Sequence, residues 1–531
     1  MPAVVDELLS AAHEQYRAKN FDAALKILDE LKNLAPDRKE IYAMESEVWR
    51  ALENPVKEFC ALEKILPLLN FSTPAEKNFA FTALTNIGSD CYALAMTEAG
   101  LEFQRLAAAL TQDKEKILAI TDTRIFNANC LENFSAAEFR ALYDEYKKFL
   151  ADVKPFPRKF FSHEKIRIGF VSADFHFHAV SNWSWTLLTR LDKNIFDVCL
   201  YSSDEKSDVV TEHLRASADT WRDVKNFSDE QLAELIRADE TDILFDLSGH
   251  TQGNRLRAAA YRPASVQVCG VGYMNSTGLD CFDYFLSDET CAGDENFFTE
   301  KLIKLPHSHI CYEPSTRFKS SAPPPCMKNN FVTFGSFNGY YKMTNSILRA
   351  WKKILDAVPD SRLIIKGKLF NTEDGKIFAG ERLKSFGFDV SRVEMRPFAV
   401  NWLAEYDDVD IALDTFPYTG GVTTCEALYM GVPVVSLYGQ RHGSRFGLSI
   451  LKNVGLEELA VDSYEEYIAR AVMLANDWEL LTLLKKNLRP MMDKSPLMNS
   501  QLYLREIQAA FVKILEESKR NERSRTLFAS M

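Results

Sequence analysis

The sequence is short of the features that mark several large protein classes. No window holds about 20 uninterrupted apolar residues, so no membrane span is expected. The N-terminus, MPAVVDELLS, has neither a basic n-region nor a long apolar h-region, so no secretory leader is expected there. The ten cysteines include no C-x-x-C and no Cys/His set with zinc spacing. That usage fits free, mostly buried thiols in a reducing compartment, and a cytoplasmic location follows as the expectation. Basic charge is in deficit. The formal net charge of −12 argues against general nucleic-acid or anionic-membrane binding. No G-x-x-x-x-G-K-[ST] occurs. CGVGYMNSTG (269–278) contains G-x-G, but Asn275 stands where a dinucleotide fingerprint needs its third glycine.

What is present is an ordinary soluble composition, 46% hydrophobic and 26% charged over 531 residues. At about 150 residues per domain this allows roughly three domains. Residues 4–150 show helical periodicity and no convincing strand run. Tyr16, Phe21, Ala24, Leu28 and Pro36 fall at the spacing of a tetratricopeptide unit, with NFDAALKIL as its second helix. The following helices, 39–52 and 55–69, match that repeat weakly. A helical layer of this kind presents a surface to a partner.

After the linker KPFPRKFFSHEK (154–165) the pattern changes. IRIGFVSADF (166–175), FDVCLYSS (196–203), TDILFDLSG (241–249) and SVQVCGVGY (265–273) read as strands, with helices near 182–190, 209–217 and 229–238. Alternation of this kind means a parallel α/β sheet, with functional residues at the C-terminal strand ends. SSAPPPCMKN (320–329) is a second break. The pattern then restarts with strands 331–337, 362–367, 393–398 and 410–414 and helices 344–357, 375–387 and 400–406. Helices 443–453, 463–475 and 501–519 follow, then a polar tail expected to fray. The predicted organisation is a helical tetratricopeptide-like domain (1–153) followed by two Rossmann-like halves (165–318 and 328–517). A ligand cleft is expected between the halves.

The stretch DIALDTFPYTGGVTTCEALYMGVPVV (410–435) is the densest in candidate chemistry. Gly420 and Gly421 let the backbone come close to a ligand. Thr423 and Thr424 fall where a helix begins, and a helix N-terminus suits a diphosphate. Glu426, expected in the first turn, suits ribose hydroxyls. An ordinary glycine-containing αβ connection would show the same residues. Other strand ends add His176 and His178 in SADFHFHAVSN, His250 and Arg255 in SGHTQGNR, Lys342 in GSFNGYYK, and Arg441, His442 and Arg445 in GQRHGSRFG. Histidine titrates near neutrality and serves as base or polar orienter. A lysine there can neutralise a diphosphate leaving group. Asp408-Val409-Asp410 imitates a D-x-D metal motif, but it leads into a strand and reads as a strand-entry charge cluster. Taken together, these residues form the constellation of a two-Rossmann nucleotide-sugar transferase.

From about 165 to 517 the chain resembles the O-GlcNAc transferase family. The matching pieces, in family order, are IRIGFVSADFHFH, LSGHTQGNR, the GYMNSTG region with FDYFLSDE, EKLIKLPHSHICYEP, SFNGYYK, the 410–435 stretch, GQRHGSR and SPLMNSQLY. The resemblance implies a GT-B fold and inverting, metal-independent transfer of a sugar to a protein side chain. The implied donor is UDP-GlcNAc, the acceptor a Ser or Thr, and no cofactor or metal is required. It implies that His178 lines the sugar and acceptor site and that His250 is a candidate base. Lys342 falls to the diphosphate, with Asn338, Gly420, Gly421, Thr423 and Thr424 also on the donor side, and Glu426 to the ribose. Arg255, Arg441, His442 and Arg445 remain candidates for the donor or acceptor side. The expected partner is an acceptor protein, such as flagellin or another surface protein, docked by the helical domain. UDP-glucose or GDP-fucose as donor, Asn as acceptor, and an inactive repeat-based binding protein are the alternatives. Gly339, Met274, Asn275, Trp402 and Gly421-Val422 depart from the family pattern near the donor.

Overall fold

The computed structural model describes residues 2–314, 322–399 and 401–529, with side chains from 3 to 524. Ser320 and Ser321 of the predicted linker, the end of the 165–318 segment and Val400 of the predicted 400–406 helix lie outside the described residues. The chain forms two compact units. One comprises Met1–Leu131, Ser336–Asp356 and Arg362–Val400; the other comprises Glu132–Gly335, Ala357–Ser361 and Asn401–Met531. Among the described residues no helix is long and apolar enough to cross a membrane.

The first unit opens with helices from Pro2–Arg17 to Lys114–Ala128 and no strand. NFDAALKIL forms the helix Phe21–Leu34, which buries Ala24, Leu28 and Leu31. Tyr16 and Phe21 pack against the same core. Helix starts follow local chemistry: the Thr73 side chain accepts from the Glu76 N–H, and Pro74 occupies the first position. Asn54 caps Pro55–Ile65 and also donates to Asp374 Oδ2 at 2.8 Å, tying the helical array to the helix Glu373–Ser385. Tyr92 stacks on Tyr341 with ring centroids 4.7 Å apart. That contact fixes the 3₁₀ turn Tyr340–Lys342.

One buried carboxyl strains this unit. Asp90 Oδ2 and both amide atoms of Gln104 are buried without a hydrogen-bond partner. Burial, reinforced by the nearby Glu58, pushes Asp90 up to about 9. The folded chain therefore holds a proton that the unfolded chain loses above the ordinary carboxyl range, and stability falls as pH rises from about 4 to 9. Asp90→Asn is expected to stabilise the protein by on the order of 2 kcal/mol near pH 8. The gain should shrink towards pH ~4. Urea melts across that range check it; a gain independent of pH would contradict the account.

The second unit holds a seven-stranded parallel sheet. Its strands are β1 (Ile166–Ser172), β2 (Phe196–Ser202), β3 (Thr220–Asp223), β4 (Ile243–Asp246), β5 (Val266–Gly270), β6 (Tyr284–Asp288) and β7 (Lys301–Leu305). They run in the order β3-β2-β1-β4-β5-β6-β7. β1 and β4 are apolar runs because both faces are covered, as parallel strands require. The C-terminal helix Ser500–Ala529 lays Phe511 against Phe196 and Phe245. Its described residues reach 529, inside the segment expected to fray. The helix Ala136–Lys148 also belongs to this unit, although its periodicity continues that of the preceding helices.

A second parallel sheet contains β8 (Thr333–Ser336), β9 (Arg362–Lys366), β10 (Val393–Arg396), β11 (Ile411–Leu413), β12 (Val434–Leu437) and β13 (Ala460–Val461). In the second unit β8, β11, β12 and β13 pair in that order. In the first, β10 pairs with β9. These two parallel sheets with flanking helices are the GT-B architecture. β3, β6, β7 and β13 and the helix Trp478–Lys494 were not foreseen as such. The predicted 400–406 helix is a 3₁₀ segment, Trp402–Asp408.

Candidate active site

The loop after β11 is organised by Asp414, which is 2% exposed. Its Oδ1 accepts from the backbone N–H of Thr415 at 2.9 Å and of Gly420 at 2.6 Å, and its Oδ2 accepts from Ser436 Oγ at 2.7 Å. The Tyr467 hydroxyl donates to its carbonyl. Residues 414–420 are thereby drawn into a closed turn. Thr419 adds a hydroxyl bond of 3.0 Å to the Gly443 carbonyl. The helix Val422–Tyr429 starts directly after this turn, with Gly421 as its N-cap and no side-chain cap. Its first N–H groups thus face the loop with the positive end of the helix dipole. Glycine is required at both positions by close approach. A Cβ on Gly420 would lie 2.6 Å from Oγ1 of both Thr423 and Thr424, and one on Gly421 would lie 2.6 Å from the Trp183 ring.

Glu426 is the fifth residue of this helix, one position past the first turn in which the sequence suggested it. The Trp402 indole N–H donates to Glu426 Oε1 at 2.9 Å, and the Tyr406 hydroxyl donates to the Thr423 carbonyl at 3.1 Å. Phe177, from the loop after β1, packs on the Trp402 ring. Trp402 therefore supplies a fixed N–H that orients the carboxylate. Trp402→Phe is expected to weaken donor-nucleotide binding by about tenfold, the worth of one charge-assisted hydrogen bond. Calorimetric titration with the nucleotide measures it; unchanged affinity would show that Glu426 needs no such support.

The histidines differ in setting. His176 Nδ1 is hydrogen-bonded to the buried carboxylate of Asp204. His178 is the N-cap of the helix Ala179–Thr189; its Nδ1 accepts from the Val180 N–H at 3.3 Å. A neutral ring in this arrangement carries its proton on Nε2. Burial holds His178 below its ordinary value although Asp174, 3.7 Å away, works in the other direction. His250 is only 1% exposed, with Tyr143, Tyr146 and Tyr273 around its ring. Its Nε2 is bonded to the Thr277 carbonyl at 2.7 Å. That bond ties the ring to the segment at Thr277.

Lys342 and Asn338 belong to the first unit, where both are buried. Three of the remaining candidates are used by the fold. Arg255 binds Asp229 Oδ1 at 2.7 Å and the carbonyls of Val224 and Phe227. Arg445 donates to the carbonyls of Thr290 and Gly439. His442 is buried against Phe285, Phe298 and Phe446. Arg441 is buried over the Phe139 ring. Asp410 does what a strand-entry carboxylate does: its oxygens accept from the backbone N–H groups of Cys326 and Thr333. Sequence reading missed Asp414, Trp183 and Tyr406. Asp414 alone left a local sign, an acid at a strand end ahead of a Pro/Gly loop.

The profile of Glycosyl transferase family 41 matches residues 148–322 and 325–507. The chain belongs to glycosyl transferase family 41. This family 41 chain is 37% identical over 400 residues to a protein of Solanum lycopersicum named probable UDP-N-acetylglucosamine--peptide N-acetylglucosaminyltransferase SPINDLY, covering 74% of this chain and 42% of that protein. It is 26% identical over 366 residues to the Arabidopsis thaliana protein named SEC, of the same described activity, covering 66% and 37%. The chain thus spans about two fifths of the length of the curated relatives it matches. A solved lysine-to-methionine mutant of the Thermobaculum terrenum O-GlcNAc transferase superposes with a TM-score of 0.82 at 29% identity, over 98% of this chain and 99% of that one.

Proposed function

We propose that this chain is a protein O-glycosyltransferase that moves GlcNAc from UDP-GlcNAc to a Ser or Thr hydroxyl, with inversion and without a catalytic metal. The observation that carries this reading is the Asp414-closed loop leading into an uncapped helix start, with a Trp402-oriented carboxylate in the same helix. The relatives' described activity and the O-GlcNAc transferase superposition point the same way.

In this reading the N–H groups and hydroxyls at Thr423 and Thr424 hold the diphosphate, and Glu426 accepts from the ribose hydroxyls. The acceptor oxygen attacks the anomeric carbon as the bond to the β-phosphate oxygen breaks, and the electron pair leaves with the diphosphate. Lys342 neutralises the charge that develops there, the work a metal does in other transferases. His178, with its proton on Nε2, donates to an oxygen of the bound sugar. The acceptor proton passes to an oxygen of the departing diphosphate. His250 holds the Thr277 segment in place. The helical repeats dock the acceptor protein, and a cytoplasmic location fits ten free cysteines.

The test follows product formation from UDP-GlcNAc on a Ser/Thr peptide and reads the linkage by NMR. A β-linked product, formed equally well with chelator present, is expected. An α-linkage would overturn inversion, and loss of transfer on adding chelator during the assay would overturn the metal-free chemistry. His178→Ala should lower kcat by about 10²-fold with UDP affinity intact; an unchanged kcat would remove His178 from the reacting site.

A further inference from the structure

Three metal-ligating side chains from separate parts of the second unit converge beneath the 439–447 loop. Cys291 Sγ and ring nitrogens of His309 and His442 all lie within 4.8 Å of one another, and all three residues are buried. Each is delivered by different local structure. Cys291 sits in the turn after β6, where its backbone N–H donates to Asp288 Oδ1 at 2.6 Å. His309 follows β7, and its Nδ1 is bonded to Asp288 Oδ2 at 2.6 Å. His442 lies in the 3₁₀ turn after β12.

Two observations separate this cluster from ordinary packing. No ring nitrogen of His442 makes a well-formed hydrogen bond, and only the Met274 carbonyl lies near enough to act on the ring, although it is 1% exposed. Such a group costs free energy unless something fills its lone pair. The second observation is Asp288. It holds His309 through Nδ1, which leaves Nε2 as the nitrogen for a ligand, the carboxylate–histidine arrangement that supports metal-ligating imidazoles. Ser449 Oγ donates to the same carboxylate at 2.8 Å.

We infer that Cys291, His309 and His442 form a structural binding site for a thiophilic divalent cation, zinc by preference. A thiolate with two imidazoles is a borderline-soft donor set suited to that ion. Binding displaces the Cys291 thiol proton to solvent, and the Sγ–H contact to the His442 carbonyl gives way to a metal–sulfur bond. Charge balances inside the cage: the dication is offset by the Cys291 thiolate and the Asp288 carboxylate, leaving no net buried charge. Phe285, Phe298 and Phe446 form the apolar wall. The ion would tie the ends of β6 and β7 to the loop after β12. It is separate from the sugar-transfer chemistry and does not depend on that reading. A brief exposure to chelator during an assay leaves so enclosed an ion in place.

The test uses the full chain without a histidine tag, made in zinc-supplemented medium and also refolded with cobalt. About one zinc per chain is expected by elemental analysis. The cobalt form should show visible ligand-field bands and a near-ultraviolet thiolate-to-cobalt charge-transfer band. Cys291→Ser should lose the charge-transfer band, and His442→Phe should lose the metal while keeping far-ultraviolet circular dichroism. Should His442→Phe fail to fold, Cys291→Ala carries the same comparison. A wild-type chain without stoichiometric metal in either preparation overturns the site. So does equal metal content in wild type and variants.

Discussion

Lys342→Ala is expected to lower the rate of sugar transfer by about 10²–10³-fold, the usual cost of removing one group that faces developing charge in a water-poor site. Lys342 is 8% exposed, so its charge acts with little solvent screening. Its turn is fixed by the Tyr341–Tyr92 stack, which makes the ammonium's position a property of the helical repeats as well as of the sheet. The Tyr341–Tyr92 stack is left untouched by the substitution. Lys342→Arg should restore only part of the rate, because a planar fork does not occupy the place of a point charge. Steady-state kinetics and melting curves on the three proteins check this. A Lys342→Ala protein that transfers sugar at the wild-type rate would remove the charge-neutralising role.

Asp414→Ala carries the second large effect. It leaves the N–H groups of Thr415 and Gly420 and the Ser436 hydroxyl without their acceptor in a buried turn. At about 1–3 kcal/mol for each buried group left unpaired, partly relieved by relaxation, the loss is on the order of 3–5 kcal/mol. Nucleotide binding should fail with it, because the same carboxylate closes the loop ahead of Thr423. Asp414→Asn keeps one acceptor oxygen and should fall between. A clear drop in the denaturation midpoint together with loss of nucleotide binding is the expected pair. Lost binding at full stability would mean that Asp414 touches the ligand itself.

The parts of this fold that were legible in sequence share a property: their pattern is local. β1, β2, β4 and β5 are apolar runs with turn residues after them, and they stand where expected. β3 is TWRD, three half-buried residues and an exposed aspartate at a sheet edge, and carries no apolar run. β7 alternates as KLIKL with two lysines exposed, so it reads as a polar segment. The helix Trp478–Lys494 contains Pro490, which breaks the helical signal near its end. At the site, the glycines and threonines of 420–424 were readable because close approach and a helix start leave residue-type signatures. Whether a loop side chain turns outward or inward leaves none. His250, Arg255, Arg445 and His442 were therefore indistinguishable from exposed site residues until their carbonyl, carboxylate and aromatic partners were seen. Cys291, His309 and His442 are far apart in the chain, so no spacing rule finds them. Trp402 was visible only as a departure from the family pattern; its hydrogen bond to Glu426 gives the departure a purpose.

The central claim is a UDP-GlcNAc site that depends on Lys342, and a donor titration tests it most directly. UDP-GlcNAc, UDP-glucose, UDP-galactose and GDP-fucose are titrated into the wild-type chain and into Lys342→Ala, with binding and turnover read in parallel. UDP-GlcNAc should bind tightest to the wild type and be turned over there, with both lost or strongly reduced in Lys342→Ala. Preference for GDP-fucose or UDP-glucose would contradict the donor, and equal binding of every nucleotide sugar to the two proteins would contradict the enzyme reading itself.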